Sequence, residues 1–460
     1  MLGPNLKAAL TVTLLAGSAA AIDLNIKDEQ SIKDAAKTAA SGAMTFYSDR
    51  SSDIPGYMSE GWWKGAALFN VMIEYWSLTG DDSNNDAVSE GMYWQRGADD
   101  NYMPTNVSSF MGNDDQLTWG LAAMTAAELD YPQRSSMPSW ETLAENVWNT
   151  VSSRWDTDNC DGGLRWQIWP YQAGYDMKNS VTNGALFALS ARLARFTNNQ
   201  TYADWAEKIW DWSAKTPLLN EKTWNIADTT SCNTNCSDHG DWQWTFNYGL
   251  YMSGAAFMYN QTDGKSKWKN GLTGLLNTSQ DFFPEKYGGK ILSEFTCEPR
   301  GNCDTSQILF KGLFAQDLAL IAQVAPYTES DILPLLQGSA TAAAKSCTGG
   351  KNDDLCGIKW YTSKYDETEG LEQQISATAL FVANLINFDQ KALITESTAK
   401  NSNSSSTTSG SPSSTSNGTT VVTETASASG GKGDGNGAGM LASGPVVLIS
   451  AMVMAILSIL

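Results

Sequence analysis

Between Gln30 and Asp389 apolar positions recur at the three- and four-residue spacing of a helix, and the two-residue alternation of a half-buried strand is almost absent. The pattern predicts twelve helices, over residues 28–48, 59–79, 84–97, 113–130, 139–154, 179–197, 200–215, 243–261, 264–280, 306–325, 329–346 and 370–388. Breaks fall at clusters of Gly, Pro, Asn and Asp such as Thr79-Gly80-Asp81-Asp82 and Pro132-Gln133. Every second helix carries a glycine beside small and apolar residues. The examples are Lys64-Gly65-Ala66-Ala67-Leu68, Trp119-Gly120-Leu121-Ala122, Asn183-Gly184-Ala185-Leu186, Tyr248-Gly249-Leu250 and Lys311-Gly312-Leu313, with a degenerate sixth at Ser376-Ala377-Thr378-Ala379-Leu380. A glycine inside a helix costs up to ~1 kcal/mol relative to alanine, so its repetition needs a reason, and close packing of inner helices supplies one. The repeat, every 55 to 65 residues, predicts an all-α fold, an (α/α)6 barrel of six helical hairpins. The alternative is an open α-solenoid, which also repeats helix pairs. Uneven spacing and long loops favour the closed barrel, occupying residues 22–395 as one domain.

The flanks of this region read differently. Lys7, the apolar run Ala8 to Ala16 and the small-residue site Ala19-Ala20-Ala21 predict a secretory signal peptide over residues 1–21. Residues 396–439 are rich in Ser, Thr and Gly and predict an O-glycosylated stalk with nothing to build a core from. Residues 440–460 end in the uncharged apolar stretch Val446 to Leu460, with small residues from Gly433 to Ala438 before it. That order predicts a GPI-anchor signal, with attachment in the Gly433 to Asn436 region. A tail-anchored helix is the alternative, and the signal peptide argues against it. The expected location is the extracellular face of the plasma membrane. Sequons at Asn106, Asn199, Asn235, Asn260 and Asn277, with Asn403 and Asn417 in the stalk, fit glycosylated loops of a secreted protein. Of the cysteines, the close pairs 232/236, 297/303 and 347/356 could each close a loop, leaving Cys160 over; other pairings stay open.

Charge and composition narrow the function. The chain has 460 residues, 30 basic and 50 acidic, for a net charge of −20. This argues against nucleic-acid binding and against docking on anionic lipid through charge. A single histidine, His239, makes a His-ligated zinc site or a Ser-His-Asp triad poor expectations. No phosphate-binding glycine motif opens a helix. Asp156-Thr157-Asp158-Asn159-Cys160-Asp161-Gly162 resembles a calcium loop but lacks the terminal Glu. No metal and no cofactor are expected. The 18 Trp and 16 Tyr are a large excess, and many aromatics with many acids and almost no His is a combination common in carbohydrate-active enzymes.

Asp-Asp occurs at 81/82, 99/100, 114/115 and 353/354, so the dipeptide alone means little here. The pair Asp114-Asp115 differs in opening an inner helix, in Gly112-Asn113-Asp114-Asp115-Gln116-Leu117-Thr118-Trp119-Gly120. One reading is a helix cap that complements the dipole. The other is a glycosidase pair. Retaining glycosidases hold two carboxyl groups ~5 Å apart, and inverting ones leave ~6.5–9.5 Å for a water. At a helix start both side chains can reach one cavity mouth, and their short tethers favour the close separation. The acid/base member needs an apolar wall to raise its pKa, which Trp119 or a neighbouring Trp could supply. Candidate sugar-binding residues fall at the starts of the other inner helices. They are Trp62, Trp63 and Lys64; Tyr175, Asn179 and Asn183; Trp242, Trp244, Asn247 and Tyr248; Gln307; and Asn113 and Trp119 near the pair. Each aromatic could equally fill the core. His239 falls in a polar loop and reads as surface.

Several stretches together resemble glycoside hydrolase family 76, the endo-α-1,6-mannanases, and in particular its fungal GPI-anchored cell-wall members. They are Gly61-Trp62-Trp63-Lys64-Gly65-Ala66, Gly112-Asn113-Asp114-Asp115-Gln116, Gly162-Gly163-Leu164-Arg165-Trp166-Gln167-Ile168, Gly174-Tyr175-Asp176-Met177-Lys178-Asn179-Ser180, Phe246-Asn247-Tyr248-Gly249, Gln307-Ile308-Leu309-Phe310-Lys311-Gly312, and Trp360-Tyr361 through Gln373-Gln374. The resemblance covers about residues 22–390. It implies an (α/α)6 barrel, a retaining mechanism, Asp114 as nucleophile and Asp115 as general acid/base. The implied substrate is α-1,6-mannan or a GPI glycan, with β-glucan as an acceptor if the enzyme transfers rather than hydrolyses. One departure is Cys160-Asp161-Gly162-Gly163, where the family has three glycines after the cysteine. Two other readings stand beside it: a non-catalytic mannan-binding wall protein, and another (α/α)6 glycosidase, whose acids usually sit on separate helices.

Overall fold

The computed structural model describes residues 22–50, 53–352, 354–388 and 391–399. The predicted signal peptide, the GPI tail, the stalk beyond residue 399 and the sequons at Asn403 and Asn417 lie outside the described residues. All twelve expected helices are present. They are α1 (Glu29–Arg50), α2 (Trp63–Thr79), α3 (Asn85–Gln95), α4 (Asn113–Glu128), α5 (Trp140–Ser152), α6 (Ser180–Thr197), α7 (Gln200–Lys215), α8 (Thr245–Gln261), α9 (Ser266–Thr278), α10 (Gln307–Val324), α11 (Glu329–Ala344) and α12 (Leu371–Ala383).

Their burial separates two classes. In α8 every residue from Thr245 to Met258 is buried, so it has no water-facing side along that length. In α5 the buried apolar residues are Trp140, Leu143, Ala144, Val147, Trp148 and Val151, one stripe at helical spacing. The fully buried kind is the even-numbered set. Each packs on the next in the order α2, α4, α6, α8, α10, α12, and α12 packs back on α2. The inner ring is therefore closed, and the open solenoid is excluded. The hairpins pair each inner helix with the outer helix that follows it, while α1 packs mainly against α12. The first and last helices thus complete the sixth pair, and the two ends of the domain seal the ring together.

Three of the repeated glycines, Gly184, Gly249 and Gly312, lie where inner helices approach, whereas Gly65 sits against the Gly56 carbonyl and Gly120 against Val147 of the outer helix α5. A Cβ on Gly312 of α10 would collide with the Cα of Ser376 on α12, and one on Gly249 of α8 with the Asp317 carboxylate on α10. Buried ion pairs cross the same seams. Lys64 on α2 meets Glu372 on α12 at 2.8 Å, and Arg192 on α6 meets Glu128 on α4 at 2.6 Å.

The few strands are short. Antiparallel β1 (Met177–Asn179) and β2 (Thr229–Ser231) set Asn179 opposite Thr229; β3 (Cys347–Gly349) pairs with β4 (Leu355–Cys356). The disulfides correct one expected pairing. Cys297–Cys303 and Cys347–Cys356 form, but Cys236 bonds Cys160 and leaves Cys232 as a free thiol. The cause is local. Asn235 and Cys236 both take left-handed backbone angles, and the Asn235 side-chain oxygen accepts the Cys160 N–H at 2.9 Å. This turns Cys236 toward the loop at Cys160, where Trp212 and Leu218 cover the bond. In that loop Asp161, standing where the family has glycine, has φ +53°. The calcium-like loop wraps an amine instead. Lys178 Nζ donates to the carbonyls of Asp156, Asn159 and Gly162 and lies 3.3 Å from the Asp156 carboxylate.

Candidate active site

The N-termini of five inner helices, α2, α4, α6, α8 and α10, surround a cavity of about 440 Å³. Trp63 comes from α2; Asp114, Asp115 and Thr118 from α4; Val181 from α6; Phe246 and Asn247 from α8; Gln307 and Phe310 from α10. The segments before these helices, β1 and β2 among them, add Trp166, Gln167, Met177, Asn179, Asp228, Thr229, Trp244, Asp304 and Ser306. Several positive helix ends thus face one apolar-walled space.

Asp114 and Asp115 sit in the first turn of α4, and their neighbours hold both. The Trp166 indole N–H donates to Asp114 Oδ2 at 2.9 Å, and the Asp115 N–H to Asp114 Oδ1 at 3.0 Å. The Gly112 N–H donates to Asp115 Oδ2 at 2.7 Å, as in a capping box. A side chain at position 112 would collide with the Asp114 carboxylate, so glycine is required there by space. Capping and cavity position therefore coexist in the same two residues. Burial pushes the Asp114 carboxyl well above the ordinary carboxylate range; the charge on Asp115 adds to this, and the two N–H donors offset part of it. Burial also raises Asp115, to about 6, against the pull of the Gly112 N–H. Across neutral pH the pair holds one proton and one charge, and its titration belongs to the pair.

Of the predicted sugar-binding residues in this region, the structure brings Trp63, Asn179, Asn247, Trp244 and Gln307 to the cavity. Asn179 also caps α6, its side chain accepting the Thr182 N–H, and Asn247 Nδ2 donates to Asp228 Oδ1 at 3.2 Å. The rest hold the scaffold. Trp62 is buried against Trp119, with ring centroids 5.2 Å apart, and its indole donates to Gln95. Trp119 is sandwiched with Tyr102 as well and points into the core, so it does not wall the acids. Lys64 is spent on Glu372 and on the Thr305 hydroxyl, which steadies the 304–306 edge of the cavity. Asn113 clamps Arg165 O and takes the Arg154 guanidinium; Asn183 clamps both backbone groups of Leu164. Tyr248 is buried with its hydroxyl on Gln243, Tyr175 lies under Arg165, and Trp242 stands exposed outside the cavity lining.

Asp228 is the residue that sequence reading missed. It lies just before β2, its carboxyl raised by burial and partly lowered by donors from Asn247 and Trp244. No periodicity marks it. Trp166 stood in a stretch that carried the resemblance, though without an assigned role. The five predicted glycosylation asparagines are all exposed; Asn260 also donates to Val324 O and accepts from Arg195. His239 is exposed. Among the described residues no group of three or more His, Cys, Asp or Glu is arranged to hold a metal ion.

Comparison with known proteins follows the same lines. The sequence profile of Glycosyl hydrolase family 76 matches residues 31–397. Mannan endo-1,6-alpha-mannosidase DCW1 of Saccharomyces cerevisiae is 40% identical over 387 residues, covering 83% of this chain and 85% of that protein. Among solved structures, Dfg5 from Chaetomium thermophilum in complex with glucosamine is 38% identical with a TM-score of 0.77, covering 82% of this chain and 95% of that one. An inactive variant of the α-1,6-mannanase GH76A of Salegentibacter sp. HEL1_6, in complex with α-1,6-mannotriose, is 17% identical with a TM-score of 0.61, covering 77% and 99%; it shares the fold. The profile spans most of the chain and the DCW1 likeness runs nearly the length of both proteins: the chain is a glycosidase and belongs to glycosyl hydrolase family 76.

Proposed function

We propose that the protein is an endo-acting α-1,6-mannosidase of a fungal cell wall that works with retention of configuration. The observation that carries this is the Asp114–Asp115 pair, half-buried together at the start of one inner helix and facing a cavity walled by Trp63, Trp166, Trp244 and Phe246. Two carboxyl groups on consecutive residues suit the short retaining separation rather than one that admits a water. The α-1,6-mannan substrate is supported by the DCW1 likeness.

In the first step Asp114 attacks C1 of the mannosyl residue while Asp115 gives its proton to the departing glycosidic oxygen. The C1–O bond breaks and a covalent glycosyl-enzyme forms. In the second step Asp115, now the base, takes a proton from water or from a sugar hydroxyl, whose oxygen attacks C1 and releases Asp114. The mechanism places the pair's one proton on Asp115 and its charge on Asp114. The two N–H donors aimed at Asp114 favour charge there, and a glycosidic oxygen accepting a hydrogen bond from Asp115 draws the proton to it.

The same reading makes the chain a secreted, N-glycosylated enzyme held by a GPI anchor at the membrane and wall, moving mannose-bearing GPI chains onto β-glucan. The signal-like residues 1–21 and the stalk and tail composition support it. The test is incubation of the protein and its Asp114→Asn variant with α-1,6-manno-oligosaccharides, with and without a β-glucan acceptor, and product masses as readout. Shortened mannans or mannose–glucan hybrids from wild type alone are expected, and their ratio separates hydrolysis from transfer. Binding without products by both proteins would leave a mannan-binding protein.

A further inference from the structure

Outside the cavity, two loops carry an exposed aromatic patch that the catalytic pair does not need. Tyr171 is 72% exposed and Phe110 54%. The Tyr171 ring lies parallel to Trp169, within 3° and with centroids 6.4 Å apart. Exposed aromatic rings gain little from folding, and an exposed tyrosine hydroxyl ordinarily stays with water. Here the Tyr171 hydroxyl donates to Ser109 O at 2.7 Å, the Trp169 indole to Ser108 O at 2.7 Å, and the Gln172 amide to Phe110 O at 2.8 Å. Every polar end is spent on fixing the loop; Trp169 is half-buried, and the faces of Tyr171 and Phe110 are left to solvent. The patch is rigid before anything binds it.

It is also continuous with the cavity. The segment bearing Trp169 and Tyr171 begins with Trp166 and Gln167, both in the cavity wall, and Gln167 bridges to Gly112 beside the acids. Gln167 Oε1 is buried and has no hydrogen-bond donor within the protein. An acceptor of that kind suits a sugar hydroxyl, and flat aromatic faces suit the C–H faces of a sugar ring.

We infer that Trp169 and Tyr171 form an outer sugar-stacking subsite that takes mannosyl residues of the substrate chain beyond those held in the cavity. This rests on the α-1,6-mannan reading above. Its consequence is that chain length is sensed at Tyr171, away from the bond that breaks. Truncating an aromatic anchor of this kind costs on the order of tenfold in affinity.

The test compares α-1,6-mannotriose with mannohexaose on wild type, Tyr171→Ala and Tyr171→Phe, with KM and kcat from turnover. Affinity is read by calorimetry in the Asp114→Asn background. Tyr171→Ala is expected to weaken mannohexaose about tenfold in KM and in Kd, with kcat nearly constant and a much smaller change for mannotriose. Tyr171→Phe keeps the ring but loses the pin to Ser109, and falls between. Equal losses at both lengths, or none at either, would overturn the subsite while leaving the mannanase reading in place. If wild type neither cleaves nor binds either sugar, the mannanase reading fails and the subsite falls with it.

Discussion

The Trp166 indole N–H donates to Asp114 Oδ2 at 2.9 Å, from a loop 52 residues along the chain from the aspartate. It is the side-chain donor aimed at the proposed nucleophile, and it favours the carboxylate form in a wall where burial opposes charge. Trp166→Phe keeps the ring and removes the donor. A hydrogen bond to a charged group contributes about 1.5–3 kcal/mol. The expected loss in kcat is therefore roughly 10- to 100-fold, with KM changing less, read from steady-state turnover of an α-1,6-manno-oligosaccharide.

The pair's protonation sets the pH profile. Catalysis needs one proton on the pair. Asp115 is raised to about 6 and Asp114 well above the usual range. Below about 6 the second carboxyl also takes a proton and the nucleophile is lost. Activity should rise with pH through a midpoint near 6, measured as kcat/KM against pH. A midpoint near 4 would mean two ordinary, solvated acids.

Glu294 makes a stability prediction with a definite sign. It is fully buried, and burial, then the neighbouring Glu298, raise it to about 8; Thr245 and Lys311 pull the other way. As pH climbs from about 4.5 to 8 the unfolded chain gives up this proton while the folded chain keeps it. The residue therefore costs nothing at low pH and progressively more up to about 8. Glu294→Gln retains an acceptor for Thr245 and removes the charge. Its Tm relative to wild type should rise between pH 5 and pH 8, seen by differential scanning calorimetry. A pH-independent difference would contradict this.

Lys64 belongs to the seam that closes the ring, where it meets Glu372 inside the protein. Lys64→Met removes the cation from beside a buried carboxylate, a change that costs about 3–5 kcal/mol. The double variant Lys64→Met, Glu372→Leu should recover most of that loss in denaturant unfolding. Equal stability of the single and double variants would show that the pair does not hold the seam.

Much of this molecule is written locally. Helical periodicity and the recurring glycines predict the twelve helices and the ring, because inner helices must be apolar all round and must touch closely. The Asp114–Asp115 pair is legible because it opens one of those helices. What local pattern cannot say is which way an aromatic faces. Trp62 and Trp63 are neighbours, yet the first is buried on Trp119 and the second lines the cavity. Long-range partners are equally hidden. Asp228 reaches the site through a three-residue strand pairing, Cys160 finds Cys236 across 76 residues, and α1 closes against α12 rather than beginning a hairpin with α2.

The most direct test of the Asp114–Asp115 assignment is the anomeric configuration of the first product. Proton NMR during the opening minutes of α-1,6-manno-oligosaccharide cleavage should show the new reducing end as the α-anomer, with β appearing later by mutarotation, and no product from Asp114→Asn. An initial β-anomer, or undiminished cleavage by Asp114→Asn, would contradict a covalent mechanism run by this pair.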